Sequence, residues 1–136
     1  MYLLDTNLCI EVLQYHPPAI KKKLQAVKQV GISVIVYSEL CYGIAMSHAK
    51  TQATRQTQLE QFLALIEVFP WDERAAEHYA TIRAYRQKKG APIGNMDLLI
   101  AAHAKSLNAT LVTNNKREFA RVPDLPIEDW ATPKSR

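Results

Sequence analysis

A chain of 136 residues with 48% hydrophobic and 22% charged content has the size and balance of one ordinary globular domain, which excludes disordered and fibrous classes. No apolar run approaches the ~20 residues needed to cross a bilayer and the N-terminus lacks a basic leader, so a single cytoplasmic domain over 1–136 is expected. A net charge of +4 and a pI near 9.1 lean towards an anionic partner without specifying one.

Tyr2-Leu3-Leu4 reads as a short buried strand that turns at Asp5-Thr6-Asn7 into a helix carrying Leu8, Ile10, Val12 and Leu13, with Thr6 or Asn7 as its cap. Pro17-Pro18 stop this helix and start the next, whose stripe is Ile20, Leu24 and Val27, with Lys21 to Lys23 on the solvated face. Gly31 punctuates the chain before Ile32 to Tyr37, which reads as a strand that becomes a helix, Ser33 capping it and Glu39 in its second turn. Residues Thr51 to Leu65 are helical by period, and Glu67-Val68-Phe69 is a strand ended by Pro70.

Asp72 caps a helix with Ala76, Tyr79, Ala80 and Ile82 on one face, and Gly90 stops it. After a turn through Gly94-Asn95 comes an apolar helix with Asp97 in its first turn, then a strand over Thr110 to Thr113, a short helix from Asn115 to Ala120 and an edge strand over Ile127 to Trp130. Cys9 and Cys41 sit among apolar neighbours without metal-ligand spacing and read as reduced thiols.

Short apolar strands alternating with amphipathic helices predict a three-layer α/β/α sandwich around a mostly parallel sheet of about five short strands. Ligands of such folds bind beyond the carboxyl ends of the strands. Asp5 and the Asn114-Asn115 turn fall at such ends.

Asp5, Glu39 and Asp97 each interrupt an apolar or tightly turned stretch. Singly, each has an ordinary role, as cap, solvated face or helix-dipole partner. Jointly they suggest a cluster, and carboxylates ~5 Å apart repel by roughly 3 kcal/mol per pair at an effective dielectric near 20, a penalty that a hard divalent cation removes.

Leu-Leu-Asp5-Thr-Asn7, Ser38-Glu39-Leu40-x-x-Gly43, the run from Pro92 through Asp97 to His103-Ala and Val112-Thr113-Asn114-Asn115-x-x-Glu118-Phe119 occur in that order. Together with the closing Ile127-Glu-Asp-Trp130, they resemble the successive motifs of the VapC toxins, PIN-domain ribonucleases of type II toxin–antitoxin pairs. The resemblance covers nearly the whole chain. It implies a PIN fold, Mg²⁺- or Mn²⁺-dependent endoribonuclease activity, and inhibition by a cognate VapB antitoxin. It also implies that Asp5, Glu39 and Asp97 hold the metal, that Asn7 supports Asp5 by a hydrogen bond, and that Thr113 orients the last loop. Many PIN domains carry a fourth acid where this chain has Asn115. The same likeness suggests tRNA, with the anticodon stem-loop of initiator tRNA foremost, and a homodimer.

Arg83, Arg86, Lys88 and Lys89 precede the loop before Asp97, either lining an RNA path or complementing the helix dipole at a solvated end. Glu118 either completes a capping box with Asn115 or replaces the missing fourth acid. His103 reads as a core or helix-surface histidine rather than a general base. Two other readings stand beside the nuclease. One is a non-catalytic RNA- or antitoxin-binding module, and the other a haloacid-dehalogenase-like phosphatase, which would need an aspartate where Asn7 stands.

Overall fold

The computed structural model describes residues 1–130 of the chain. The last part of the expected 1–136 domain therefore lies outside the described residues. In chain order the elements are β1 (Tyr2–Leu4), α1 (Thr6–Tyr15), α2 (Pro18–Ala26), β2 (Val30–Ser33), α3 (Val34–Ala45), α4 (Ala49–Leu63), β3 (Glu67–Phe69), α5 (Glu73–Lys88), α6 (Asn95–Ser106), β4 (Thr110–Val112), α7 (Lys116–Phe119) and β5 (Ile127–Glu128).

All five strands are parallel, in the order β3-β2-β1-β4-β5. Because β1 pairs with β2 on one side and β4 on the other, the chain order reverses direction at the crevice between β1 and β4. Leu3, Leu4, Ile32, Leu111 and Val112 are wholly buried, as expected for parallel strands covered on both faces. The most deeply sunk helix is α6, where Ala101, Ala102 and Ala104 permit a close approach and Leu98 and Ile100 fill the space beside them. It packs along α5, while α1, α3 and α4 pack on one another.

Several local expectations hold. Ser33 caps α3 by accepting from the Ile35 amide, Asp72 caps α5 by accepting from Ala75, and Gly90, at φ 72°, turns the chain out of α5. Cys9 and Cys41 are free thiols.

Others are corrected. The cap of α1 is Asp5, whose Oδ1 accepts from the Leu8 amide at 2.9 Å; Thr6 and Asn7 already lie in the helix because β1 ends at Leu4. On α5 the expected Ile82 is buried and Tyr79 half-buried, but the small residue turned inward is Ala75, while Ala76 and Ala80 are exposed. Gly31 lies inside β2 instead of before it. A Cβ there would stand 2.3 Å from the Glu67 carbonyl oxygen and 2.4 Å from the Phe69 ring, so β2 and β3 pair in this register only with glycine.

Candidate functional site

The carboxyl ends of β1 and β4 bring Asp5 and Thr113 together across the crevice. The Asp5 amide donates to Val112 O at 3.1 Å, extending the ladder one residue beyond β1. Its carboxylate is buried and doubly held. Oδ1 accepts from Leu8, and Oδ2 accepts from the Thr113 hydroxyl, which itself accepts from the Asn115 amide at 2.9 Å. Thr113 thus links the Asp5 carboxylate to the turn after β4.

Glu39 arrives from α3, the helix that Ser33 starts at the end of β2, and its Oε1 accepts from the Thr6 hydroxyl at 2.5 Å. Asp97 arrives from the first turn of α6 and makes no hydrogen bond or ion pair among the described residues. Burial pushes the Asp5 carboxyl up from its ordinary value. The Thr113 and Leu8 hydrogen bonds pull it back, and the charges of Asp129 and Glu39 push further upward. Burial also raises Asp97, followed by the charges of Glu118, Asp5 and Glu39. Asp5 and Asp97 therefore each feel carboxylates from other parts of the chain at this edge of the sheet.

The donor set is hard oxygen with a surplus of negative charge, and Asp97 retains unused lone pairs, which suits a divalent cation such as Mg²⁺ or Mn²⁺. Among the described residues no three His, Cys, Asp or Glu side chains converge on one point. Like-charge repulsion accounts for side chains that share an edge without closing on one another.

The supporting residues fare differently. Asn7 is exposed and does not bond Asp5, because an N-cap carboxylate turns back onto its own first-turn amides; Leu8 and Thr113 do that work instead. Asn115 is half-buried and its side chain caps nothing, so no capping box forms with Glu118. Glu118 instead pairs with Arg121 at 2.8 Å and lies 3.5 Å from the Gly94 amide.

In the basic group, Arg83, Lys88 and Lys89 are exposed, with Arg83 resting on Tyr79 and Lys89 over Tyr85. Arg86 is half-buried and donates to the carbonyls of Ala91 and Arg121. His103 is buried, its Nδ1 2.7 Å from the Ser33 hydroxyl. Burial lowers its pKa, against upward pulls from Asp72 and the Pro70 carbonyl. It lies in the core.

Asp129 and Arg121 belong to this neighbourhood and were not singled out from sequence. Asp129 sits in the closing Ile127-Glu-Asp-Trp130 segment, which reads from sequence as an edge strand and as part of the family likeness with no site role for the aspartate, and Arg121 follows a short helix without any motif of its own.

The PIN domain family model matches residues 2–125. Ribonuclease VapC2 of Rickettsia felis is 41% identical over 133 residues, covering 96% of this chain and 98% of the relative. The tRNA(fMet)-specific endonuclease VapC of Salmonella typhimurium is 39% identical over 130 residues, covering 95% and 97%.

The chain belongs to the PIN-domain family, among the VapC ribonucleases.

It is accordingly a nuclease, and the phosphatase and non-catalytic readings fall away. Among solved structures, VapBC2 from Rickettsia felis bound to a promoter DNA fragment superposes with a TM-score of 0.90 at 39% identity, over 95% of this chain and 98% of that one. DNA-bound VapBC from Salmonella typhimurium gives a TM-score of 0.90 at 39% identity, over 96% and 98%. The parallel sheet flanked by helices is thus the VapC form of the PIN fold.

Proposed function

We propose that this VapC is the toxin of a VapBC pair, a Mg²⁺- or Mn²⁺-dependent endoribonuclease that cleaves tRNA and is silenced by a VapB antitoxin. One observation carries the reading: Asp5, Glu39 and Asp97, delivered by β1, α3 and α6, share one sheet edge, where burial first and then the charge of neighbouring carboxylates raise both aspartates. Asp5, Glu39 and Asp97 would hold the cation, with Glu118 beside them. A cation bound there supplies a hydroxide-like water at neutral pH and neutralises charge at the phosphate.

The residues of the chain do the positioning. Thr113 and the Leu8 amide fix the Asp5 carboxylate, and Thr6 fixes one oxygen of Glu39. Water attacks phosphorus in line, the bond from phosphorus to O3′ breaks, and O3′ takes a proton. The products are a 3′-hydroxyl and a 5′-phosphate. Exposed Arg83, Lys88 and Lys89 suit contacts to RNA phosphates, with Arg86 holding the loop beneath them. The Salmonella typhimurium relative is named as tRNA(fMet)-specific, which makes the anticodon stem-loop of initiator tRNA the foremost substrate.

For the antitoxin, a groove of about 630 Å³ runs between α1, α3 and α4, lined by Ile10, Leu13, Tyr15, Leu40 and Ile44, with Glu39 in its wall. An amphipathic helix fits such a groove, and an Arg or Lys extending from it would meet the acids in place of the metal. The solved relatives are VapBC complexes, which supports this partner. No described helix is long and apolar enough to cross a membrane. The proposal includes action in the cytoplasm by one PIN unit over 1–136, as a homodimer.

Purified protein incubated with bulk tRNA should produce discrete fragments with Mg²⁺ and none with EDTA, with activity restored by added metal. Cleavage undiminished in EDTA would remove the metal from the mechanism. Fragments from every tRNA alike would remove the initiator preference.

A further inference from the structure

Among the described residues Asp97 has no side-chain partner, so its place there is set by its backbone. That backbone is the start of α6, whose N-cap, Gly94, offers no side-chain hydrogen bond, and the preceding residues 91–94 belong to no helix or strand. Something else must hold this entry.

Arg121, just beyond α7, does so. Its Nη2 donates to the carbonyls of Ala91 at 2.5 Å and Pro92 at 3.0 Å, while its Nη1 pairs with Glu118 Oε1 at 2.8 Å. The other oxygen of Glu118 faces the Gly94 amide at 3.5 Å. From the opposite side, Arg86 on α5 donates through Nε to Ala91 O at 3.0 Å and through Nη1 to Arg121 O at 3.3 Å. Two guanidinium groups therefore grip the chain five and six residues before Asp97 and tie it to α5 and α7. Both are half-buried, and a planar fork with several fixed donors suits two carbonyls and a carboxylate in a way an ammonium does not.

We infer that Arg121 is a positioning residue for cleavage: it clamps residues 91–94 so that the first turn of α6 presents Asp97 to the other acids. The inference rests on the reading of Asp97 as a metal-holding acid. Arg121 acts at two removes from the reacting phosphate, through the Ala91 and Pro92 carbonyls and through Glu118. Arg86 is the second jaw, which separates it from Arg83, Lys88 and Lys89.

The test uses full-length wild type, Arg121→Gln and Arg121→Lys. Amide hydrogen exchange over residues 91–98, measured without metal or RNA, should quicken in Arg121→Gln and less in Arg121→Lys, which keeps the charge but not the fork. Partners of metal ligands typically matter by 10–100-fold, so kcat should fall by about that factor with KM nearly constant, and half-activation should need more Mg²⁺. The lysine variant should lie between. Unchanged exchange would overturn the clamp, and faster exchange with normal kcat would reduce Arg121 to a stabilising residue. A raised KM with normal kcat would make it an RNA contact instead. Should Arg121→Gln fail to fold, Arg86→Gln loosens the same loop from the α5 side and is read the same way. Wild type that cleaves no RNA in Mg²⁺ would sink the metal-site reading while leaving the exchange result to judge the clamp.

Discussion

Asp5 and Asp97 face the same crevice but are anchored in opposite ways. Asp5 is buried at a strand end, and both of its oxygens are occupied, by a backbone amide and by a threonine hydroxyl from the neighbouring strand. Asp97 is half-exposed on a helix whose entry is a gripped loop, and its carboxylate has no hydrogen bond or ion pair among the described residues. The first is oriented by its own hydrogen bonds and contributes to the fold. The second is oriented by its main chain, at the expense of like-charge repulsion. A site that binds a cation and a polyanion together, as proposed for this one, gains from one fixed wall and one that adjusts by small movements.

The largest test of this contrast is charge removal. Asp5→Asn and Asp97→Asn should each reduce metal-dependent RNA cleavage to background, since both take a charge from the cluster without changing size. Truncation separates the two acids by stability. Asp5→Ala removes a helix cap and strands the buried Thr113 hydroxyl, so thermal unfolding should show a loss of about 2 kcal/mol or more. Asp97→Ala should stay within about 1 kcal/mol of wild type, as relieved repulsion offsets the lost helix-dipole attraction. Equal losses in the two alanine variants would erase the distinction.

Next in size is Thr113→Val, which keeps the shape but removes the partner of both Asp5 and the Asn115 amide. Cleavage should drop by about 10–100-fold, with Thr113→Ser restoring most of it. A valine variant of normal activity would mean that Asp5 needs no orienting hydroxyl.

Smaller effects belong to the outer rim of the Asp97 side. If Arg83 and Lys88 neutralise RNA phosphates, the paired variant Arg83→Glu with Lys88→Glu should weaken binding severalfold and flatten the plot of log K against log salt by about 0.7 per lost contact. An unchanged slope would assign them to a solvated helix end.

The smallest concerns the core behind both acids. Burial holds the folded-state pKa of His103 below its ordinary 6.5, so the stability tied to its neutral form is full above that value. It is lost as pH falls from there through the folded-state pKa. Denaturant midpoints should therefore decline on acidification in this window in wild type, and His103→Gln should flatten the decline. A midpoint insensitive to pH there would show that His103 keeps its ordinary affinity for protons.

Much of the architecture was legible because its signals are local. Ser33 and Asp72 announce helix starts, Gly90 a helix end, and the apolar strand triplets a sheet covered on both faces. Glu39 and Asp97 stood out as acids in apolar surroundings, and the strand ends gave a reason for Asp5 to join them. What stayed hidden depends on how elements meet. Whether Ala75 or Ala76 is buried depends on the rotation of α5 against α6, and the cap of α1 on the residue at which β1 ends. Gly31 resembles punctuation until β3 lies against it. Neither Arg121 nor Asp129 announces a role in sequence, because their neighbours there, Ala91, Pro92 and Asp5, come close only after folding.

The hydrogen bond between Asp5 and Thr113 joins residues 108 positions apart. Strand β1, the first to leave the ribosome, waits at the middle of the sheet for β4, and such distant parallel pairings are slow to form. A nascent chain that ends before Thr110 contains neither the strand that closes the crevice nor the hydroxyl that turns Asp5 into place. The edge that carries these acids is therefore among the last parts to be assembled, and on the function proposed above the nascent chain would lack a complete site for most of its own synthesis.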